Sequence, residues 1–161
     1  MGERNTTKFP QEILDQWSDL GLDLPGLFSA GHLGERMGLE IVEAAPERVV
    51  GTLPVEGNTQ PYGILHGGAS AVLAETLGSV GAMLHCGPDK LAVGVDLNCT
   101  HHRSLRSGIV TGTATPVHRG RSVATYETVI TDENGKRVCT ARLTCVLRKP
   151  DATLAPRPEG G

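Results

Sequence analysis

The chain has 161 residues, a length that suits one domain better than two. With 20% charged and 39% hydrophobic residues and a net charge of −3, it is neither a disordered chain nor one with a broad basic face for nucleic acid. Five aromatic residues, Phe9, Trp17, Phe28, Tyr62 and Tyr126, are too few for the stacking platforms of single-strand binders, so the core must come from Leu, Val, Ile, Ala and Gly.

Residues 1–33 read as an N-terminal tail with one short helix. Met1 to Asn5 hold no apolar run, so no secretory signal is expected and the protein is expected to be cytoplasmic. Gly2 to Thr6 match the loose myristoylation pattern, and Asn5-Thr6-Thr7 and Asn98-Cys99-Thr100 fit the glycosylation sequon; both patterns arise often by chance. Gln11 to Trp17 can form a helix with Ile13, Leu14 and Trp17 on one side. Leu20 to Gly34, broken by Gly21, Pro25, Gly26 and Gly31, reads as irregular.

Residues 34–149 form the main domain, and its pattern is mostly β. Leu39 to Glu43 and Arg48 to Val55 are strands turned by Ala45-Pro46-Glu47. Leu91 to His101 alternates, with Leu91, Val93, Val95, Leu97 and Cys99 facing one way and Ala92, Gly94, Asp96, Asn98 and Thr100 the other. Ile109 to Val117 and Ser122 to Thr131 are joined through His118-Arg119-Gly120-Arg121. Asn134-Gly135 then signals a hairpin into Arg137 to Arg148, whose Cys139, Ala141, Leu143, Cys145 and Leu147 face inward. Strands joined by short turns make an antiparallel sheet, one face of which needs covering.

One long helix, Gly67 to about His85, is available as that cover. Leu73, Leu77, Val80 and Leu84 form a helical stripe. Opposite them lie Gly68, Ala71, Glu75, Gly78, Ser79 and Ala82, a small-residue face expected to be open to a ligand or a partner subunit. The longest apolar stretch is interrupted by Glu75 and is short of the ~20 residues of a membrane span. Residues 150–161 read as a mobile C-terminal tail.

Cys86, Cys99, Cys139 and Cys145 include no C-x-x-C pair, so neither a zinc ribbon nor a redox dithiol is indicated. Cys139 and Cys145 share a strand face but lie about 20 Å apart at ~3.3 Å per residue, too far to bridge. His101 and His102, adjacent on a strand, point to opposite faces and do not chelate together, and no metal or cofactor is expected.

Glu75 is the one charged residue between Gly67 and Leu84. A carboxylate in so apolar a helix is costly to bury, its pKa is expected to rise, and such groups are functional candidates. Ahead of the helix runs Gln60-Pro61-Tyr62-Gly63-Ile64-Leu65-His66-Gly67-Gly68. A glycine-rich turn entering a helix leaves free N–H groups and a positive dipole end, which together can stabilise an oxyanion, with Gln60 and His66 as further donors. His66 and Glu75 are nine residues apart, or about 13 Å along a helix. One subunit cannot easily bring both to one atom; a two-fold dimer can.

These segments, with Leu73-Ala74-Glu75, Asn98-Cys99-Thr100-His101-His102-Arg103 and His118-Arg119-Gly120-Arg121, resemble the hotdog-fold acyl-CoA thioesterases. The likeness is to the PaaI-like branch, which includes 4-hydroxybenzoyl-CoA thioesterases of the Arthrobacter type and the enterobactin-pathway proofreading thioesterase. It covers about residues 34–149. The resemblance implies an α+β hotdog fold, an antiparallel sheet wrapped around one long central helix. It implies Glu75 as nucleophile or general base and the Gly67 N–H as the group polarising the thioester carbonyl, with Gln60 and His66 beside it. Ser79 matches a position that orients the carboxylate or water. His101, His102, Arg103 and Arg121 match segments bordering the CoA site. It also implies a homodimer with shared sites, paired into a tetramer. On the residues alone, Arg103, Arg106, Arg119 or Arg121 would suit CoA phosphates.

Two other readings remain open on the same fold: a non-catalytic acyl-CoA-binding protein, and a hydratase or dehydratase acting on an enoyl or hydroxyacyl thioester. No Gly-x-Ser-x-Gly elbow, P-loop or dinucleotide-binding glycine pattern occurs.

Overall fold

A computed structural model describes residues 7–151. The myristoylation pattern, the first sequon's Asn5 and nearly all of the C-terminal tail lie outside the described residues. The elements run α1 (Gln11–Ser18), α2 (Leu24–Leu27), α3 (Gly31–Met37), β1 (Glu40–Ala45), β2 (Arg48–Pro54), α4 (Gly67–Cys86), β3 (Leu91–His101), β4 (Ile109–Arg119), β5 (Val123–Thr131) and β6 (Arg137–Arg148). All six strands join one antiparallel sheet in the order β1-β2-β4-β5-β6-β3, and α4 lies across its concave face. This is the hotdog architecture that the resemblance implies.

Helix and sheet fit through reciprocal size. Leu73 and Leu77, fully buried, fall over Gly51 of β2 and Gly112 of β4, where a Cβ would stand 2.8 and 2.7 Å from Leu77. Farther across the sheet the sizes invert. Gly78 meets Leu143, and Gly81 leaves room for the Tyr126 ring, 2.5 Å from where its Cβ would sit. Truncating either leucine to alanine removes about 2–5 kcal/mol, and adding a methyl at Gly81 costs about 1–3 kcal/mol by overpacking. The Tyr126 hydroxyl donates to the Pro46 carbonyl at 2.6 Å, so its polar tip is satisfied inside the core.

Two of the six residues of the small face are not open, contrary to the sequence expectation. Gly78 and Ala82 are buried because the curled sheet covers more than the leucine stripe. Ala71, Val72, Glu75 and Ser79 keep access to solvent.

Two further readings change. Leu20 to Gly34 is not irregular: it carries α2 and the start of α3, so the expected boundary at residue 34 falls inside a helix. Gly38, left-handed at φ 72°, ends α3, and Leu39 N–H returns to the Gly34 carbonyl at 2.8 Å. The alternation of β3 is not strict either. The register shifts between Gly94 and Asp96, leaving Val95 as a bulge, 59% exposed. Ala92 and Gly94 pair with inward-facing Leu147 and Cys145, and beyond the bulge Leu97, Cys99 and His101 pair with Leu143, Ala141 and Cys139. In the β5–β6 hairpin only Gly135 takes positive φ, at 76°; Asn134 keeps negative φ, with its N–H donated to Asp132 Oδ1 at 2.9 Å.

Candidate active site

The turn before α4 is pinned at each step. Gln60 N–H bonds the Ile64 carbonyl at 2.9 Å, and Gly63, at φ 71°, donates to the Gln60 carbonyl at 2.8 Å. Leu65 N–H reaches Leu105 O at 2.7 Å and His66 N–H reaches Asn58 O at 2.9 Å. Buried Asn58 then spends its side-chain donors on the Met37 and Pro54 carbonyls, at 2.8 and 2.9 Å. A rigid loop thus delivers His66 to the N-cap of α4.

His66 Nδ1 accepts the Gly68 N–H at 2.8 Å. In the neutral ring this places the proton on Nε2, which stays free to donate. The Ala69 and Ser70 N–H groups turn to the His66 carbonyl. The Gly67 N–H takes part in none of these bonds, so the helix start presents one aligned donor at its positive end.

His101, at the end of β3, lies directly over Gly67. A Cβ at Gly67 would stand 2.9 Å from the imidazole Nε2, so any larger residue there would displace the ring. Gln60, Gly67, Ser70, His101, His102 and Arg103 share a cleft of about 340 Å³. His102 turns to the other face of the strand, its Nε2 2.9 Å from Thr140 Oγ1, as adjacent strand residues must. Ser70, buried on the cleft wall one turn after Gly67, was not legible as a site residue: a serine inside an apolar helix carries no signal of its own.

Glu75 lies two turns along α4 from Gly67. Its Oε1 is 3.4 Å from the place of a Cβ on Gly94, so the absent side chain of β3 makes its seat. Burial raises the Cys99 and Cys145 thiols, and the nearby Glu75 charge raises them further. Burial also pushes Cys139 up to about 11. The Ser79 hydroxyl sits against the Cys145 thiol, one turn after Glu75. Glu75 itself is exposed, contrary to the burial expected from the sequence: β3 is the last strand of the sheet, and among the described residues no strand pairs with its outer side.

One subunit does not assemble all the sequence candidates. Arg121 lies beyond the opposite end of α4, in a cleft with His85, Lys90 and Arg119. A helix of 20 residues, about 30 Å long, separates it from His101, His102 and Arg103. Arg119 is held by Glu47 in an ion pair, which lowers the Glu47 carboxyl pKa below its ordinary value.

The sequence profile of the Thioesterase superfamily matches residues 62–139, a span running from the pinned turn through α4 to the start of β6. Proofreading thioesterase EntH of Cronobacter turicensis is 44% identical over 120 residues, covering 74% of this chain and 88% of that protein. The chain belongs to the thioesterase superfamily. Among solved structures, thioesterase HI1161 from Haemophilus influenzae superposes with a TM-score of 0.73 at 38% identity, over 79% of this chain and 89% of that one. Two structures of the Staphylococcus aureus protein SAV0944 are similar at 31% and 32% identity, with TM-scores of 0.70 and 0.69. Each match covers 74% of this chain, and 100% and 99% of the respective solved chains. One carries alanine in place of a glutamate, the other in place of a glutamine fifteen positions earlier.

Proposed function

We propose that this thioesterase hydrolyses acyl-CoA to the free acid and coenzyme A at a site shared between two copies of the chain. The thioester carbonyl oxygen takes the Gly67 N–H, with Gln60 and His66 Nε2 beside it. Glu75 of the other copy either draws the proton from an attacking water or attacks the carbonyl itself. In both routes the C–S bond breaks, the thiol leaves with a proton, and water supplies the acid's second oxygen. No metal or cofactor enters the reaction, since a carboxylate and oriented donors supply all that acyl transfer needs.

The observation that carries this reading is the open edge of β3. If a second copy pairs antiparallel to β3 around Asp96, Leu91 of one copy faces His101 of the other. Gly94, the seat of Glu75, then falls opposite Asn98, three residues or about 10 Å from His101 and its neighbour Gly67. Within one copy Glu75 and Gly67 are eight residues apart on one helix, about 12 Å along its axis. Pairing offers the donors a second acid from across the edge, outside the fixed spacing of one helix, and excludes water from both. It also carries Arg121 of one copy toward the His101 to Arg103 segment of the other. The glutamine and glutamate replaced in SAV0944 have the fifteen-residue separation of Gln60 and Glu75, which supports the same assignment. Ser79 positions the carboxylate from the next turn. A further pairing of dimers, and a cytoplasmic setting, belong to the same reading.

The test is thiol release from a panel of aromatic and aliphatic acyl-CoA thioesters. Wild type releases free thiol, and Glu75→Ala does not, while still binding coenzyme A. Wild type that binds acyl-CoA and releases no thiol would instead be a binding protein. A change in enoyl absorbance without thiol release would mark a hydratase.

A further inference from the structure

We propose that Tyr62 and Arg106 form a nucleotide-reading rim at the cleft mouth, with the purine of coenzyme A stacked on the Tyr62 ring and its phosphates taken by Arg106 together with Arg103. This rests on the acyl-CoA reading and goes beyond it by naming the groups that tell a CoA thioester from a shorter one.

Tyr62 is the most exposed large hydrophobic side chain among the described residues, at 79%, in a chain with only two tyrosines. It is not on a loose loop. It stands on the turn closed by the Gln60–Ile64 and Gly63–Gln60 bonds, and Arg106 Nη1 grips its carbonyl at 3.1 Å. The same guanidinium lies against Gly63, 3.6 Å from where a Cβ would sit. Gln60 and Ile64, two residues to either side of Tyr62, both line the cleft, so its backbone is fixed at the rim. An aromatic ring left in water on a pinned turn gains nothing for folding; it offers a face for a flat partner.

The cations beside it are not neutralised by any ion pair among the described residues. The three ion pairs among the described residues take Arg48, Arg119 and Arg148. Arg103 and Arg106 are in none of them, and both are exposed on the segment that runs from the His101 end of the cleft to the Tyr62 turn. A planar ring with two guanidinium groups is the chemistry that holds a purine nucleotide carrying several phosphates, because every base has a π-face and guanidinium forks match phosphate oxygens. The acyl end enters the cleft toward Gly67, and the nucleotide end stays outside on the rim.

The experiment compares Tyr62→Ala, Tyr62→Phe and wild type on one acyl group presented as its coenzyme A thioester and as its pantetheine thioester. Coenzyme A binding is followed separately by calorimetry. Tyr62→Ala is expected to lower the ratio of kcat/KM for the CoA ester over the pantetheine ester about tenfold, through KM rather than kcat, and to weaken coenzyme A binding by a similar factor. Tyr62→Phe keeps both, since the ring and not the hydroxyl carries the stack. Arg106→Gln is expected to flatten the salt dependence of coenzyme A binding. An unchanged ratio with unchanged coenzyme A affinity in Tyr62→Ala overturns the rim, as does an equal loss on both esters. If wild type cleaves neither ester, the hydrolase reading fails by itself, and the calorimetric comparison alone decides for or against the rim.

Discussion

The two edges of the sheet differ in how they end. At the β1 edge, Lys8 bridges alongside Glu43: its N–H donates to the Val42 carbonyl and its carbonyl accepts from Ala44, both at 2.9 Å. At the β3 edge an 11-residue strand has β6 on one side and no strand on the other among the described residues. An unpaired edge is a template for another chain, and proteins normally cover or disrupt one that serves no purpose. This chain spends part of its N-terminal segment on closing β1 and leaves open the edge beneath Glu75. On the proposed function, the difference means that the open edge belongs to the working surface of the protein, and that the site is half a site until the edge is filled.

That contrast can be broken at several strengths. The largest effect is at the acid behind the open edge: Glu75→Gln should lower kcat about 10²–10⁴-fold, the usual worth of a positioned proton acceptor, in a steady-state thiol-release assay. Next, Val95→Asp places a second carboxylate at the bulge in the middle of the edge, beside Asp96. In the pairing around Asp96 the two copies would then meet with four carboxylates in place of two, and sedimentation should show monomer, with activity falling in step. At the closed edge, Lys8→Pro removes one donor and costs about 1 kcal/mol in denaturant unfolding without changing the assembly state or kcat. Loss of assembly in that variant would erase the distinction between the edges. The smallest effect is in pH dependence. Burial holds the Cys139 thiol near 11 against an ordinary value of 9.0, so the unfolded chain loses that proton first. Stability from this group is fully present below pH 9 and declines as pH rises toward 11, and Cys139→Ala should flatten that part of the unfolding profile.

Much of this was legible in the residues. The inward set Cys139, Ala141, Leu143, Cys145 and Leu147 follows from period-two alternation, and all five are buried. The bounds of α4 follow from its leucine spacing and the His66-Gly67 start. The bulge at Val95 was not legible, because a bulge needs no special residue, and Ala92 and Gly94 look as suited to an outer face as to the inner one they occupy. Helix α3 was hidden by Gly31 and Gly34; its stop at Gly38 and its packing on the domain hold it, rather than helix propensity. Gly78, on the small face of α4, was read as open because sequence shows which residues are small and not which large ones, here Tyr126 and Leu143, come to fill the space. The exposure of Glu75 is the most instructive miss. Sequence marks the residue as out of place in an apolar helix, yet its surroundings are set by the edge of the sheet and not by α4.

The most direct measurement is activity in hybrid dimers. Glu75→Gln and Gln60→Ala chains, each weakly active alone, are mixed, dissociated and reassociated. A site shared across β3 gives every hybrid one intact site, from the acid of one chain and the donors of the other, and thiol release should rise to about half of the wild-type rate per hybrid. Hybrids no more active than the average of their two parents would place the acid and the donors of each site in one subunit, and would contradict the account.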